Sequence, residues 1–312
     1  MNFTLKQLRY VEAAGRLRSI AKAAVEVSIS QSSITAAIDA LEASLDYALF
    51  VRTPAKGIQP TPAGHEALQL IRNFLNQARQ FEAELRSQGG DDAGLVRIAC
   101  YATVAPAFLP PILRSIPENF PGISIKVMEG NMVSILDYLN NGEVDLVFTY
   151  DTYLPDDQFF EPLFDAAPYA LVPASDPISD QSSVTYTELS KMPMIMLDLP
   201  YTRDYFLGLF KMYGLRPEVV HSTRSTEIAK AMVEGEFGYT ILNIRPSNYS
   251  ANDTRYRALP ISDSSEAPVF GIATAGGVRQ PKNVRSFIKG CIKLRKSGTL
   301  DSLTVRQKPY KM

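Results

Sequence analysis

The sequence predicts a multidomain α+β protein, in which a small helical unit and a long helix precede a larger region of alternating strands and helices. Its 312 residues exceed what one hydrophobic core of ordinary size holds. Apolar residues recur at helical spacing over residues 1–87, whereas strand-like and helical patterns alternate from residue 95 onward. The stretch between them, QGGDDAG at residues 88–94, is small, acidic and typical of a linker.

Composition and charge are those of an ordinary globular protein. No apolar run approaches the ~20 residues of a membrane span, and the N-terminal residues lack an export signal, so we expect a cytoplasmic protein without a membrane partner. The net charge of −1 argues against a protein that coats nucleic acid, although residues 1–60 are mildly basic. Cys100 and Cys291 are too few and too scattered for a disulfide framework, and we expect inert thiols, no metal and no cofactor.

Hydroxyl residues indicate where three short N-terminal helices begin, since each can accept a hydrogen bond from the first turn of its helix. The predicted caps are Thr4, which can form a capping box with Gln7, then Ser19 and Ser30. In the third helix, Ile34, Ile38 and Leu41 recur at helical spacing and should face inward. Two extended pieces at 49–52 and 56–60 form a β-wing, so residues 1–61 are predicted to be one domain.

Residues 62–90 are predicted to be a linker and dimerisation segment. Thr61 followed by Pro62 is a strong helix start, and the helix should continue to about Arg86. Its apolar positions alternate spacings of three and four, which suits pairing with another helix, most simply its own copy. The predicted dimerisation residues are Leu68, Ile71, Leu75, Ala78 and Leu85, and a second apolar line holds Leu70, Phe74 and Phe81.

The C-terminal region alternates strand-like and helical patterns, as expected for mostly parallel sheets with covering helices. The strand-like runs are 95–101, 123–128, 144–148, 170–173, 194–197, 219–221, 238–242 and 269–273, and the helical ones are 105–118, 132–141, 202–213, 226–234 and 281–296. This length fits one large sheet or two small lobes. Residues 299–312 are predicted to be a disordered tail.

The start of the third helix is chemically suited to a polar partner. The first N–H groups of a helix have no intrahelical acceptor and carry partial positive charge, so this end can hold a phosphate. Major-groove DNA readers present such a helix to base edges, and nearby cations fix the register on phosphates. The predicted DNA contacts are Ser30, Gln31, Ser32, Ser33 and Thr35 on the helix, with Arg16, Arg18, Lys22, Arg52 and Lys56 around it. The alternative is that residues 30–33 only cap a packing helix.

Two sets of residues stand in the order and spacing of a known family. The first set is Leu8-Arg9-Tyr10, Ser19, Ala23-Ala24, Ser30-Gln31-Ser32, Ile34-Thr35, Ile38, Leu41-Glu42, Leu49-Phe50, Arg52, Thr61 and Ala63-Gly64. The second, weaker set is Leu95-Val96-Arg97-Ile98, Phe120-Pro121-Gly122, Leu139 with Gly142, Asp145-Leu146, and Gly235 with Gly238. Through these residues the chain resembles a LysR-type transcriptional regulator over nearly its whole length.

This resemblance implies a winged helix-turn-helix, a dimerising linker helix and a two-lobed effector domain of the periplasmic-binding-protein type at residues 91–298. Lobe I would span about 91–168 and 269–298, and lobe II about 169–268. The resemblance also implies homodimers or homotetramers on double-stranded DNA, with RNA polymerase as a partner and a small-molecule effector as the switch. The reactive cysteine pair of the family's peroxide-sensing branch is missing from the second lobe of this sequence.

The third helix departs from the family in its charge. Residues 31–45 contain no Lys or Arg, and Ala36-Ala37 stand where the family usually has a basic or larger polar residue. Asp39 and Glu42 are the charged residues there. Each lost phosphate contact weakens DNA binding and flattens its salt dependence. We therefore expect modest affinity per monomer, compensated by avidity and by reliance on the wing and on DNA shape.

Ligands in open α/β folds bind beyond the carboxyl ends of strands, where helices begin. Residues at such places are the predicted effector contacts: Ala102, Thr103, Asn131, Met132, Thr149, Tyr150, Thr202, Arg203, Thr226 and His221. Hydroxyls with one arginine suit a small organic anion. The alternatives are that Thr202 and Thr226 only cap helices, that Arg203 is a surface residue, and that His221 is a polar residue without a ligand.

Two other classes of function compete with regulation. An enzyme would need a nucleophile elbow, a glycine-rich phosphate loop or a zinc cluster, and none is present, so we predict no catalytic residue. A small-molecule-binding protein without DNA binding would explain the C-terminal two-thirds but not residues 1–87. The sequence therefore favours a DNA-binding regulator controlled by a small-molecule effector.

Overall fold

The computed structural model describes residues 3–53, 57–87, 92–155, 158–245, 255–264, 267–276 and 280–305. The chain divides into two compact units, residues 1–88 with 140–142, and residues 89–139 with 143–312. No helix in the described part is long and apolar enough to cross a membrane.

Three short helices begin where the sequence predicts them. Each is preceded by a hydroxyl side chain that accepts a hydrogen bond from the N–H three residues later, and the first cap completes its capping box with Gln7. Ile34 and Ile38 are buried in the core of this unit. The helices are α1 (Leu5–Leu17), α2 (Ile20–Glu26) and α3 (Gln31–Leu45), with Thr4, Ser19 and Ser30 as caps.

An antiparallel hairpin of β1 (Phe50–Thr53) and β2 (Gly57–Pro60) follows α3 and forms the predicted wing. Glu42 of α3 fixes the start of this hairpin. Its carboxylate accepts hydrogen bonds from the backbone N–H of Leu49 at 2.6 Å and of Phe50 at 3.0 Å. Glu42 is therefore a structural residue that ties the helix to the wing.

The long helix α4 (Pro62–Ser87) packs into the same core as the three short helices. Leu68, Ile71 and Leu75 are buried there, with exposed fractions of 2%, 8% and 7%. The predicted dimerisation seam is wrong at these three positions, because their side chains have almost no surface left to offer a second copy. Ala78 is half-buried, and the exposed apolar side chains of α4 are Leu70, Phe74, Phe81 and Leu85.

The second unit contains two α/β lobes. Its elements are, in chain order, β3 (Gly94–Tyr101), α5 (Ala105–Asn119), β4 (Ile123–Gly130), α6 (Met132–Asn140), β5 (Leu146–Tyr150), β6 (Gln158–Asp165), β7 (Tyr169–Pro173), α7 (Tyr186–Leu189), β8 (Pro193–Leu197), α8 (Thr202–Lys211), β9 (Glu218–Thr223), α9 (Thr226–Glu234), β10 (Thr240–Leu242), β11 (Tyr256–Pro260), β12 (Val269–Ala275) and α10 (Lys282–Lys296). The predicted helices are all present, with ends that shift by no more than two residues.

The two lobes share one strand plan. Lobe I has the sheet order β4-β3-β5-β12-β6. In lobe II, β9 pairs with β8, while β10, β7 and β11 form a second sheet. A parallel bridge between Met194 and Tyr239 joins β8 to the strand that leads into β10, giving the order β9-β8-β10-β7-β11. Each lobe thus has its own sheet and its own buried core.

The expectation of mostly parallel sheets is wrong. Strand β3 pairs in parallel with β4 and β5, but β12 runs antiparallel to β5 and β6, and β7 runs antiparallel to both of its neighbours. The chain enters lobe II at β7 and returns to lobe I at β12, so these strands oppose the direction of the strands beside them. The sequence also missed the edge strands β6 and β11, which are half-exposed and lack a continuous apolar run.

The predicted disordered tail is wrong over residues 299–305. Leu300 and Leu303 are buried in the core of lobe I, and Val305 is buried in that of lobe II. The backbone N–H of Arg245 donates to the carbonyl of Leu303 at 2.7 Å. These apolar residues are too few to show a period in the sequence. Residues 306–312, also assigned to the tail, lie outside the described part.

We expect Glu42→Ala to destabilise the wing by about 1–3 kcal/mol, because two backbone N–H groups lose a charged acceptor. Hydrogen–deuterium exchange of the full-length chain should show faster exchange at Leu49 and Phe50. Glu66→Ala, at an exposed position of α4, should leave that exchange unchanged. Unchanged exchange in Glu42→Ala would mean that the wing start is held by other contacts.

Candidate functional site

The first turn of α3 is exposed, whereas the apolar face of the turns behind it is buried. The side chains of Gln31, Ser32 and Ser33 are accessible, and Ile34 is fully buried. The hydroxyl of Ser30 accepts from the N–H of Ser33 at 3.2 Å and lies 2.8 Å from the hydroxyls of both Ser32 and Ser33. This helix end therefore presents donors and acceptors to solvent on a rigid support, as the reading of DNA base edges requires. Thr35, the fifth predicted contact on the helix, is half-buried one turn behind them.

The predicted phosphate contacts fall into different environments. Arg18 and Lys22 are exposed at the turn between α1 and α2 and at the start of α2, and no described acidic side chain pairs with them. Arg16 is different, since it pairs with Glu12 at 3.3 Å and with Glu26, which makes it a link between α1 and α2 and not a ready phosphate contact. Lys56, another predicted contact, lies outside the described residues.

Arg52 on the wing forms an ion pair with Asp39 of α3. Both side chains are about half-exposed, at 52% and 57%. A DNA phosphate that approaches Arg52 must therefore compete with a carboxylate that already holds the guanidinium. Helix α3 therefore carries no cation of its own, and its Asp39 also holds Arg52, the cation on the neighbouring wing.

A cleft between the lobes of the second unit encloses about 530 Å³ of empty space, measured to its open mouth. It lies where β3 and β5 end and where α8 and α9 begin. The lining residues share an aromatic, hydroxylic or aliphatic character, and they include Tyr101, Thr103, Met132, Tyr150, Tyr153, Tyr201, Thr202, Tyr205, Phe206, Thr226 and Asn243. Concave, mostly apolar walls with a few polar groups are typical of sites that bind small organic molecules.

Side chains of the two lobes make a hydrogen bond and a ring stack across the cleft. The hydroxyls of Tyr101 and Thr202 form a hydrogen bond of 2.6 Å. The rings of Tyr153 and Tyr201 are stacked, with centroids 4.5 Å apart and planes 20° from parallel. Tyr201 has a φ of 64°, a left-handed conformation that non-glycine residues seldom adopt. A ligand that enters this space touches both lobes.

The structure brings five of the predicted effector residues to the cleft and places five elsewhere. Thr103, Met132, Tyr150, Thr202 and Thr226 line it. The five others are placed as follows: Ala102 in a neighbouring depression with Glu129 and Arg224, Asn131 as the cap of α6, Thr149 buried in β5, Arg203 paired with Asp198 at 3.4 Å, and His221 exposed on β9 with its ring 5.6 Å from that of Phe237. Thr202 does more than cap a helix, because its hydroxyl forms a hydrogen bond with that of Tyr101 across the cleft.

Sequence reasoning missed most of the aromatic wall. Tyr153 belongs to a short turn after β5, Tyr201 precedes α8, and Tyr205 and Phe206 lie one turn into α8. Asn243 follows β10 and holds the carbonyl of Ala166 through its amide N–H₂ at 2.8 Å. The sequence offered one indication of these residues, which is that Tyr153, Tyr201 and Asn243 lie within four residues of a strand end.

The two thiols and the other metal-ligand types form no reactive site in the described part of the chain. Cys100 and Cys291 are fully buried, and burial raises the pKa of both thiols above the usual range. No group of three His, Cys, Asp or Glu residues among those described stands close enough to hold a metal ion.

Comparison with known families covers both units. The family described as "LysR substrate binding domain" matches residues 89–293, and the family described as "Bacterial regulatory helix-turn-helix protein, lysR family" matches residues 5–65. The chain belongs to the LysR family. It is a DNA-binding transcriptional regulator with an effector-binding domain, and its homologues are regulators and not enzymes.

Individual relatives agree with this assignment. The transcriptional regulator CysB of Haemophilus influenzae is 28% identical over 76% of this chain and 75% of its own length. The regulator SsuR of Burkholderia cenocepacia is 28% identical over 78% of this chain and 79% of its own. Among solved structures, HinK, a LysR family regulator from Pseudomonas aeruginosa, is 30% identical with a TM-score of 0.61, covering 93% of this chain and 98% of its own.

Because both thiols are buried and their pKa values are raised, we expect neither to react with iodoacetamide at pH 8 in the native protein. Mass spectrometry should find both modified after unfolding in urea and neither before. Rapid alkylation of either cysteine in the native chain would contradict the burial described above.

We expect Asp39→Asn to strengthen DNA binding severalfold at low salt, because Arg52 is then free to meet a phosphate and one repulsive charge is lost. The slope of log K against log salt concentration should steepen by up to about 0.9, the value for one more phosphate contact. Fluorescence anisotropy over a salt series measures both. Asp46→Asn makes the same charge change at the far end of α3 and should alter the slope less. Equal effects of the two variants would assign the change to net charge alone.

Proposed function

We propose that this regulator binds a pseudo-palindromic operator in the cytoplasm as a homodimer or homotetramer, and that a small-molecule effector in the lobe cleft controls its action on RNA polymerase. The observation that carries the proposal is the exposed, hydroxyl-rich first turn of α3 above the buried Ile34. A helix that merely packs would bury that turn. Here the side chains that face the core are Ile34, Ala37, Ile38 and Leu41, and the exposed first turn is available to a groove.

The DNA contacts in this proposal divide into readout and positioning. Gln31 can make a two-point contact with adenine, and the hydroxyls beside it suit either bases or phosphates. Arg18 and Lys22 are exposed cations that suit phosphates. Arg52 joins them when it leaves Asp39. Because few cations are free near α3, much of the affinity has to come from two or more copies acting together.

Self-association is assigned to the exposed apolar face of α4, formed by Leu70, Phe74, Phe81 and Leu85. These side chains have exposed fractions between 41% and 70%, and their spacings of four, seven and four residues place them along one side of the helix. Each hydrophobic contact of this kind gains free energy when it is covered. A second copy of the same helix presents a matching face, which is what a two-fold interface needs.

The proposed effector role of the cleft is supported by the fact that both lobes contribute residues to its walls. Lobe I contributes Tyr101 and Tyr150, and lobe II contributes Thr202 and Tyr205, so a bound molecule contacts both lobes at once. Only a ligand with different affinity for two lobe arrangements shifts the balance between them. An effector in this cleft therefore has the means to bias the arrangement of the lobes and, through it, the footprint on DNA.

The DNA-reading assignment is tested with Gln31→Ala combined with Arg52→Ala, in gel shifts on DNA from upstream of the protein's own gene at fixed salt. We expect at least a tenfold loss of affinity, since one base contact alone is worth about 1–3 kcal/mol. Gln69→Ala, at an exposed position of α4, is the matched control and should bind normally. Undiminished binding by the double variant would show that the first turn of α3 does not read the operator.

The self-association face is tested with Leu70→Asp combined with Phe81→Asp. Burying two carboxylates in an apolar interface is strongly unfavourable, so we expect monomers in sedimentation velocity at concentrations where the unaltered chain associates. Gln69→Asp introduces a charge beside that face and should leave the oligomer intact. An unchanged oligomer in the double variant would place the interface elsewhere.

A further inference from the structure

The walls of the lobe cleft determine which chemical class of molecule it accepts. Six aromatic side chains face the space, and aliphatic residues such as Leu197, Leu242 and Ile244 complete it. The aromatic residues are Tyr101, Tyr150, Tyr153, Tyr201, Tyr205 and Phe206. Such walls give large apolar contact area and edge-to-face positions for a further ring. They favour a compact, ring-containing molecule.

No Lys, Arg, His, Asp or Glu is among the described residues that line the cleft. Arg203, the cation expected to clamp an organic anion, is held by Asp198 and is not part of the lining. A carboxylate that entered would lose its hydration and meet no opposite charge inside this space, since Arg224 and Arg245 lie in the neighbouring depression together with Glu129 and Glu227. An ammonium would meet ring faces but no carboxylate. Both charged classes are therefore disfavoured by desolvation.

The tyrosines add no charge of their own. Burial raises the pKa of Tyr101 and Tyr150 and raises the pKa of Tyr205 to about 12. Their hydroxyls are protonated at neutral pH and act as neutral donors and acceptors. The tyrosines thus offer the ligand hydrogen bonds without a formal charge.

Two polar atoms at the cleft are available for a ligand. The Asn243 amide N–H₂ donates to the Ala166 carbonyl, which fixes the amide orientation, and its oxygen accepts no hydrogen bond within the described chain. The Thr226 hydroxyl is buried and likewise has no partner there. Thr226 is not the cap of α9, because Ser225 fills that role. A ligand that carries a donor can satisfy the buried Thr226 hydroxyl and also bond the Asn243 amide oxygen.

We propose that the effector of this regulator is an uncharged aromatic or similarly compact apolar molecule that carries a hydroxyl or amide donor, bound between the tyrosines with its polar group at Asn243 and Thr226. The inference rests on the proposed effector role of the cleft and names the ligand class for it. It replaces the small organic anion expected from the sequence.

The test uses three probes of matched size and different charge: benzamide, benzoate and benzylamine, the last being protonated at neutral pH. Isothermal titration calorimetry on the full-length chain measures their affinities directly. We expect benzamide to bind at least tenfold more tightly than either charged probe. Tighter binding of benzoate or of benzylamine, or no binding of benzamide at 10 mM (roughly the upper limit for a fragment of its size), overturns the proposal.

Two variants connect the binding to the cleft. Thr226→Val keeps the shape of the side chain and removes the hydroxyl, and should weaken benzamide binding by about fivefold to tenfold, as the loss of one hydrogen bond does. Thr152→Lys adds a cation at an exposed lining position and should shift the preference toward benzoate. Thr187→Lys, exposed on α7 away from the cleft, is the control and should change neither affinity. A benzamide affinity unaffected by Thr226→Val and a charge preference unaffected by Thr152→Lys would place binding outside the cleft.

Gel shifts with the same preparations separate this proposal from the proposed function. Calorimetry reports on the ligand class whether or not DNA binding responds. If benzamide binds as expected but leaves operator binding and the transcript level unchanged, the ligand class is supported and the switching role fails. If operator binding holds while every neutral probe fails, the regulator remains and the ligand class is wrong.

Discussion

The DNA-binding unit depends on one constraint, which is that α3 buries its apolar face while its first turn stays exposed. Ile34 and Ile38 pack in one core with residues of α1 and α2, and the Ser30 cap stabilises the exposed first turn of the helix against fraying. Glu42 extends the same anchoring to the wing. A rigid exposed end costs little ordering entropy on binding, which is valuable for a reader that has few cations.

The charges around α3 work against nonspecific attraction. Asp39 restrains Arg52, and the helix itself carries no cation. Since phosphate contacts supply most of nonspecific affinity, this arrangement lowers binding to random DNA more than binding to a site whose shape brings a phosphate to the wing. Asp39 thus lowers the affinity of each copy for DNA and makes that affinity depend more on the shape of the site. The regulator therefore needs several copies acting together to bind tightly.

Local features of the fold could be predicted from the sequence, and features that depend on distant parts of the chain could not. Caps such as Ser30 and helix spacings are set within a few residues, which is why the helices are placed correctly. The seam on α4 shows the limit: the spacing of Leu68, Ile71 and Leu75 indicates a packed face but not which partner covers it, and the partner is the chain's own core. Strand direction fails for the same reason, because β12 returns from another lobe. For the cleft, the sequence predicted residues at strand ends. It did not predict tyrosines such as Tyr153 and Tyr201, because no local pattern shows that these distant parts of the chain come together.

The contacts across the cleft also decide how a ligand can act. Tyr101 and Thr202 are joined by a hydrogen bond, and Tyr153 and Tyr201 by a stack, so the lobes already hold each other through groups that line the space. A molecule that fits equally well in every lobe arrangement would shift nothing. A ring inserted beside the stack, with its polar group at Asn243 and Thr226, would change the balance of these contacts. In this proposal, the side chains that join the lobes and those that bind the effector line the same cleft.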